Sequence, residues 1–468
     1  MKTATERSDR GKLLIFVNIL ISAVASSMLS TATTAALPPI AADLSISLTT
    51  GQWMTGGYSL AMGITTPLTA FLIRRIPTRR LYLGGIIVFI TGLTISLFSL
   101  SFPVMMTGRI IQACGNGILM SIAQVVILTI FPEEKKGTAM GWYGLAIGAA
   151  PVVAPTLAGI LVDLINWRAI FALILIIMLL SLSVAWFVFD DVLETEKKTF
   201  DICSFVLSIF AFGGLTLGIG NIGTYGISDV IVFLPLLLGI AGSAVFALRQ
   251  LRIEDPFLDI RILKNRTYFL SVTGSMMLYF IMMGSSVIMP LYVQSIMGYS
   301  ATVSGLVTLP GSLAMAVVSP FAGKIFDRLE IKTLFVAGAG FLVMSNLGMY
   351  FVTIHTPLTA AAFFNAIRCI AIGCLMMPLV TWGTSRVDTA LVADATALLT
   401  SLRTVAGAVG SAVFVGIMSL ISRRSAASYG ENADIHGLNA AFLCMTLGAV
   451  LLLAVAVFCV HSDRQSPA

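Results

Sequence analysis

Three arginines, Arg109, Arg368 and Arg403, lie within long apolar stretches of the chain. An ionisable side chain inside a membrane-spanning segment costs at least about 2.5 kcal/mol, so such a residue usually serves a function. A buried guanidinium can pair with a carboxylate, with backbone carbonyls or with a proton relay. The alternative for each arginine is a structural contact that locks neighbouring helices together.

Carboxylates that could carry protons are scarce in the same stretches. None of the 22 acidic residues lies clearly at the centre of an apolar stretch, and the best candidates, Asp163 and Asp394, lie near the ends of theirs. A carboxyl group buried in apolar surroundings has a raised pKa that suits it to carrying a proton. Asp163 and Asp394 are therefore candidate proton carriers, with ordinary solvation at a helix end as the alternative.

Patterns for other kinds of chemistry are missing from the sequence. It contains no GxxxxGK[ST] loop for nucleotide phosphates. Its six cysteines all lie in or at the ends of apolar stretches, without metal-ligand or disulfide spacing. We therefore predict no cofactor, no metal site and no enzymatic activity.

The composition indicates an integral membrane protein. The chain has 468 residues, of which 57% are hydrophobic and 11% are charged, whereas about a quarter of the residues in soluble domains are charged. This excludes a soluble enzyme or a nucleic-acid-binding protein, despite the net charge of +6. A membrane-spanning helix needs about 20 mainly apolar residues, which predicts fourteen spans in an all-α fold: 13–36, 52–73, 81–101, 105–130, 137–162, 169–189, 202–221, 228–248, 267–292, 302–323, 333–354, 357–382, 395–421 and 438–461.

The basic residues predict the orientation of these spans. Loops on the cytoplasmic side of a membrane are enriched in Lys and Arg. Of the 28 basic residues, 22 fall in one set of alternating segments and three in the other, while the remaining three are the buried arginines. An even number of spans with this asymmetry predicts that both termini are cytoplasmic.

An internal repeat divides the chain. The loop sequence AFLIRRIPTRRLYLGG from Ala70 corresponds to AGKIFDRLEIKTLFVAG from Ala322, and Arg109 corresponds to Arg368 at a similar offset. We predict two six-helix halves, residues 13–190 and 267–461, with two inserted helices in residues 191–266. Repeats of this kind are typical of transporters, whose substrate site lies between the halves near the middle of the membrane.

Four stretches resemble the fourteen-spanner drug/proton antiporter family of the major facilitator superfamily. The span-five sequence GLAIGAAPVVAPTLAGIL is similar to the family's antiporter motif, and the segment from Thr107 to Met120 is similar to the motif built on a buried arginine, here Arg109. The loop from Arg249 resembles the family's cytoplasmic linker, and DATALLTSLRTVAGAVG resembles its span thirteen, with Arg403 at the usual position. The resemblance covers essentially the whole chain.

This resemblance implies roles for specific residues. The antiporter motif, which here comprises Gly144, Gly148, Pro151, Pro155 and Gly159, forms a seal between the two halves, and small residues at these positions allow close helix packing in lipid. A generic packing face is the alternative.

The resemblance also implies coupling and gating residues. Arg109 takes part in coupling, whereas for Arg368 and Arg403 we favour the structural reading. Asp327 and Arg328 form part of a charge latch at the inner gate. In the first-half copy of this loop, Arg74 stands where the family usually has Asp, and Pro77 stands where Gly is common.

A second departure from the family pattern concerns span one. The family often has an acidic residue in a stretch like LDxTIVNVALP, but this chain reads MLSTATTAALP and has Leu29 at that position. The absence of this carboxylate favours neutral, zwitterionic or anionic amphiphiles over strongly cationic drugs as substrates.

Polar residues within the spans are candidates for the substrate cavity, since such cavities combine apolar walls with a few polar groups. They are Ser30, Thr34, Tyr58, Gln112, Asn116, Tyr279 and Asn365. Hydrogen bonding between helices is the alternative for each of them.

Together these features predict a monomeric secondary transporter in the cell membrane. It exports small lipophilic or amphiphilic compounds by alternating access, with proton antiport as the coupling. Its predicted partners are the small-molecule substrate, protons and membrane lipid. The alternatives are a dedicated exporter of an endogenous metabolite, peptide, antibiotic or fatty acid, and a membrane sensor or scaffold that does not transport.

Overall fold

The computed structural model describes residues 9–46, 48–193, 195, 201–225, 229–253, 256–299, 301–328, 331–388 and 391–460. All regular elements within these ranges are helical. A helix satisfies its backbone hydrogen bonds internally, which is required of any segment that crosses lipid. The first group of helices is α1 (Asp9–Ala35), α2 (Leu37–Asp43), α3 (Leu48–Arg75), α4 (Thr78–Leu97), α5 (Phe102–Ile130), α6 (Glu133–Leu164) and α7 (Arg168–Val188).

The remaining helices form a central group and a second large group. The central group consists of α8 (Ile202–Ser208), which continues through a π-helical turn (Ile209–Gly213) into α9 (Gly214–Tyr225), and α10 (Val230–Arg252). A short 3-10 helix, Ile260–Lys264, precedes the second large group. That group comprises α11 (Arg266–Leu291), α12 (Ala301–Arg328), α13 (Ile331–Tyr350), α14 (Leu358–Thr384), α15 (Val392–Tyr429) and α16 (Ala433–Ala454).

The predicted fold class is confirmed. Within the described residues, thirteen helices are long and apolar enough to cross a membrane. Helix α6 covers the predicted fifth span as well, and its residues 144–161 contain no charged side chain. Each of the fourteen predicted stretches therefore coincides with a helix.

Two details differ from the sequence prediction. The short helix α2 follows α1 after Ala36 and was not predicted. Helix α15 has 38 residues and ends at Tyr429, beyond the predicted limit of residue 421. Hydropathy marks the loss of apolar character near Arg423, but the backbone stays helical up to Gly430, whose φ of 54° lies in the left-handed region that ends helices.

The same packing order occurs in both large groups of helices. In the first group α4 packs on α5 and α7, α3 packs on α5, and α1 packs on α6. In the second group α13 packs on α14 and α16, α12 packs on α14, and α11 packs on α15. The groups meet along two seams, α6 with α12 and α3 with α15. This pattern is what a duplicated six-helix unit would produce, and the domain boundaries themselves stay a prediction.

The central helices pack beside one of these seams. Helix α9 contacts both α3 and α15, while α10 packs on α8 and α9. A Cβ atom on Gly214 would lie 2.8 Å from the Cα atom of Gly239, so glycine permits the close approach of α9 and α10. Large apolar side chains of α10, such as Ile240 with 57% exposure, point outward as expected for a lipid-facing surface.

An ion pair joins the two central helices at one end. Arg249 donates to both carboxylate oxygens of Asp201 at 3.1 Å, and the backbone N–H of Ser204 donates to the same carboxylate at 3.1 Å. Partial burial alone would raise the pKa of Asp201. The hydrogen bonds from Ser204 and Arg249 outweigh burial and lower this pKa below its ordinary value.

The topology leads to a labelling prediction. Lys264 and Asn166 are both exposed, near opposite ends of the helices. In a chain without native cysteines, we expect Lys264→Cys to react with a membrane-impermeant maleimide only after the cells are permeabilised, because loops rich in Lys and Arg are predicted to be cytoplasmic. Asn166→Cys should react in intact cells, and it serves as the matched control. Labelling of the thiol at position 264 from outside intact cells would contradict the topology.

Candidate functional site

Glycine residues allow α6 and α12 to pack closely along their seam. A Cβ atom on Gly141 would lie 2.6 Å from the carbonyl oxygen of Ser319, and one on Gly323 would overlap the carbonyl oxygen of Gly137. The two helix backbones therefore touch directly near the start of α6 and the end of α12. Any larger residue at Gly137 or Gly323 would force the helices apart.

Asp327 closes this seam with hydrogen bonds. Its carboxylate accepts from the backbone N–H of Gly137 at 2.8 Å and of Thr138 at 2.7 Å, and from the Thr138 hydroxyl at 2.5 Å. These donors belong to the second turn of α6. The predicted latch residue Asp327 thus contacts backbone and hydroxyl groups. Its neighbour Arg328 is exposed and makes no hydrogen bond or ion pair within the described ranges.

A second carboxylate joins the other seam. Asp394, in the first turn of α15, forms an ion pair with Arg74 at the end of α3. The Asp394 side chain is 1% exposed and that of Arg74 is 13% exposed, so the pair is largely shielded from solvent. Arg74, which departs from the family pattern, therefore has an acidic partner on the opposite group of helices. We call the Asp327 contact and the Arg74–Asp394 pair together the inner gate.

The linker before α11 packs against the inner gate. The backbone N–H of Asp259 donates to Asp394 at 3.1 Å. Phe257 is 2% exposed and packs on Phe71 of α3, with ring centroids 6.0 Å apart. The linker thus connects the central helices to the same carboxylate that binds Arg74.

Sequence reasoning missed the roles of Arg74 and Asp259. Arg74 was identified only as a departure from a motif, and the charge complementarity between the end of span two and the start of span thirteen was the available signal. Asp259 contributes a backbone N–H, and the sequence pattern contains no information about that contact.

The antiporter-motif glycines divide into two sets. A Cβ atom on Gly144 would lie 2.7 Å from Cγ of Met377, and one on Gly148 would overlap Met315, so both glycines contact the second group of helices. Gly159, nearer the other end of α6, has no atom within 4 Å of such a Cβ position. The close contact therefore extends from the inner gate to about the middle of α6. The side chains of Pro151 and Pro155 lie outside the described part of the chain.

Arg109 is fully buried against α3 and α5. Its guanidinium lies 4.2 Å from the ring centroid of Tyr58, and it donates to Met54 O at 3.2 Å and to Gln112 Oε1 at 2.8 Å. Gln112 in turn donates to Gly92 O and to the Ser96 hydroxyl. Within the described ranges Arg109 has no carboxylate partner, and its Nη2 atom has no hydrogen-bond partner.

Arg368 has a corresponding position in α14. It is 3% exposed and donates to Asn365 Oδ1, while Asn365 donates to Thr308 O of α12 at 3.4 Å. Arg109 and Arg368 are thus both held by an amide side chain three residues away on the same helix. Both contact groups within their own half of the repeat.

Arg403 differs from the other two. It is 6% exposed, and its guanidinium lies 4.8 Å from the ring centroid of Tyr279 on α11. In the described part of the chain it makes no hydrogen bond or ion pair, and its Nη1 atom is buried without a partner.

The structure describes some of the other predicted cavity and coupling residues but not all of them. Asn116 donates to the Met62 sulfur at 3.6 Å, and Leu29 is fully buried at the position of the family's acidic residue. The side chains of Ser30, Thr34 and Asp163 lie outside the described part of the chain. The remaining four predicted cavity residues each contact one buried arginine. Tyr58 and Gln112 contact Arg109, Tyr279 contacts Arg403, and Asn365 contacts Arg368.

Comparison with known proteins identifies the family. The profile of the Major Facilitator Superfamily matches residues 19–411. The chain belongs to the major facilitator superfamily. It is 32% identical to the lincomycin resistance protein LmrB of Bacillus subtilis (strain 168), over 90% of this chain and 88% of that protein.

The fold and the resemblance to drug exporters are supported by further relatives. The multidrug export protein EmrB of Haemophilus influenzae is 27% identical over 86% of this chain and 80% of that protein. The crystal structure of the human organic anion transporter MFSD10 (TETRAN) has a TM-score of 0.69 and 13% identity, and covers 96% of this chain and 100% of that one. This last likeness shows the fold alone. The predicted family resemblance is confirmed, and the chain is a multi-pass transporter of this superfamily.

The inner gate leads to a charge-exchange prediction. Ser319→Cys places a thiol of similar size at a position with 5% exposure in the α6–α12 seam. In this background we expect Arg74→Asp or Asp394→Arg to raise maleimide labelling of the thiol in inverted vesicles at least about tenfold, which corresponds to about 1.4 kcal/mol. Breaking a buried ion pair leaves one charge without its partner, and this favours the open gate.

Combining the two changes is the matched control for this experiment. The exchanged pair should bring labelling back toward that of the parent. The return should be incomplete, because the exchange also removes the acceptor for the Asp259 N–H. Labelling of the double variant that equals the sum of the single effects would show that Arg74 and Asp394 do not act as a pair.

Proposed function

We propose that this protein exports small lipophilic or amphiphilic compounds from the cytoplasm in exchange for protons. It works in the cell membrane by alternating access, with both termini cytoplasmic. Membership of the superfamily supports transport, and the names of the relatives LmrB and EmrB support drug-like substrates. The distribution of basic residues supports the orientation.

The inner gate is the observation that carries this proposal. Both of its carboxylates belong to the second half of the repeat, and both bind donors of the first half at the predicted cytoplasmic ends of the helices. Gly159, at the predicted outer end of α6, has open space around it. This arrangement supports a transporter whose two halves are closed together on the cytoplasmic side.

The chemistry of the inner gate suits reversible opening. Hydrogen bonds and ion pairs exchange protein partners for water when they break, so the net free energy of each contact is small compared with its strength in isolation. The glycines between α6 and α12 allow close packing without interlocked side chains that would oppose separation of the helices. The inner gate can therefore separate without a large energetic penalty.

Proton coupling acts through the same carboxylates in this proposal. Protonation of Asp394 removes the negative charge that attracts Arg74, and protonation of Asp327 removes the charge that faces the start of α6. A bound proton therefore favours opening toward the cytoplasm, where it is released. In this cycle the proton is taken up from the outside, and after its release a substrate binds from the cytoplasm before the deprotonated gate closes, which completes the exchange.

Inverted vesicles test the proposed function. We expect dyes of the lipophilic class to accumulate in vesicles that contain the protein, and we expect collapse of the pH gradient to reduce this accumulation at least about tenfold. The electrical potential should be collapsed separately to separate the two driving forces. Vesicles with Gly323→Leu, in which a side chain keeps α6 and α12 apart, serve as the inactive control. No movement of any dye would contradict drug export, and movement of a single endogenous compound would indicate a dedicated exporter.

Arg109 provides a second test, because we propose that it contributes to coupling. Arg109→Met should leave the melting temperature of the purified protein within a few degrees of the parent, since a buried guanidinium without a carboxylate pays a desolvation cost that an apolar side chain avoids. The same variant should lose the acceleration of transport by a pH gradient. A large drop in melting temperature together with an intact response to the pH gradient would show that Arg109 is only a structural lock.

A further inference from the structure

The three arginines inside the membrane-spanning helices are not equivalent. Arg109 and Arg368 each use their guanidinium nitrogens on partners within their own half. Arg403 has only the face of the Tyr279 ring as a close partner in the described part of the chain. A guanidinium carries five N–H donors, so Arg403 retains most of its hydrogen-bonding capacity for another group.

The position of Arg403 matches that of a substrate site. It lies eleven residues beyond the start of α15, which places it about 16 Å along the helix axis at 1.5 Å per residue. This is about half of the roughly 30 Å hydrocarbon thickness. Tyr279 is near the middle of α11, and Tyr143, which belongs to the opposite half, lies ten residues beyond the start of α6, or about 15 Å along its axis. Arg403 and Tyr279 therefore lie together near the midplane, and Tyr143 of the opposite half lies at a similar depth.

The positive charge of Arg403 determines which class of ligand can bind beside it. No carboxylate within the described ranges pairs with Arg403, and a positive charge at the middle of a membrane is expensive without a counter-ion. A carboxylate matches the guanidinium fork with two parallel hydrogen bonds and is the usual partner of Arg at buried sites. A cationic ligand would be repelled from the same position.

We propose that Arg403 and Tyr279 form a recognition site for the carboxylate of an amphiphilic substrate. The carboxylate binds the guanidinium, and the apolar part of the substrate packs against the aromatic rings and the methionines nearby, such as Met283, which lies beside Gly407 of α15. Methionine side chains adapt to varied apolar shapes. This inference deepens the proposed function, on which it rests, by naming the substrate class as lipophilic carboxylates.

A matched pair of probes tests the site directly. The purified full-length protein in neutral detergent is titrated with a dansylated eleven-carbon fatty acid and with its methyl ester, and binding is followed by dansyl fluorescence. We expect the acid to bind at least about tenfold more tightly than the ester, because only the acid carries the charge. Arg403→Gln should reduce this preference to less than about twofold. Arg424→Gln, an exposed arginine on the same helix, is the control and should keep the preference of the parent.

Chemical protection tests the site without any variant. A dicarbonyl reagent that modifies arginine is applied to the parent protein, and the modified peptides are measured by mass spectrometry. The acid should protect Arg403 from modification and the ester should not. Equal protection by both probes, or a preference for the acid that survives Arg403→Gln, would overturn the proposal.

These outcomes are separable from the outcome of the vesicle experiment. Dye transport without a preference for the acid would leave the proposed function intact and reject the carboxylate site. A preference for the acid that depends on Arg403, in a protein that moves no dye, would support the site and reject drug export.

Discussion

A carboxylate that leaves water must find donors, and the closed end of this transporter depends on that constraint. Asp327 and Asp394 both lie on the second half of the repeat, and both meet their donors on the first half. Each contact is satisfied only when the two halves are together on that side. The glycines of the α6–α12 seam permit this approach, because they leave no side chain between the two backbones.

The carboxylates of Asp327 and Asp394 bind different kinds of donor. Asp327 binds uncharged donors near the start of α6, which are the N–H groups of Gly137 and Thr138 and the Thr138 hydroxyl. Asp394 binds a full cation, Arg74, and also accepts from the linker at Asp259. The second arrangement connects the linker and the central helices to the inner gate. In the proposed opening of the gate, this linker must change its position or leave Asp394.

Hydropathy and charge predicted the fold because lipid imposes strong constraints on length, apolar character and loop charge. The partners of the charged residues were less accessible to sequence reasoning. The pairing of Arg74 with Asp394 spans 320 positions and depends on how α3 meets α15. Tyr58 and Gln112 both contact Arg109, and their place in the substrate cavity stays a prediction. A helix that is apolar on all sides does not reveal which face turns inward, and only packing resolves that question.

Distance measurement between spin labels tests the central claim most directly. Lys135 of α6 and Arg328 of α12 are exposed on either side of the inner gate and can carry the two labels. In the parent protein we expect mainly one short distance, and in the double variant Asp327→Asn and Asp394→Asn we expect a dominant longer distance on this side of the membrane. The same short distance in both proteins would show that the two carboxylates do not hold the halves together.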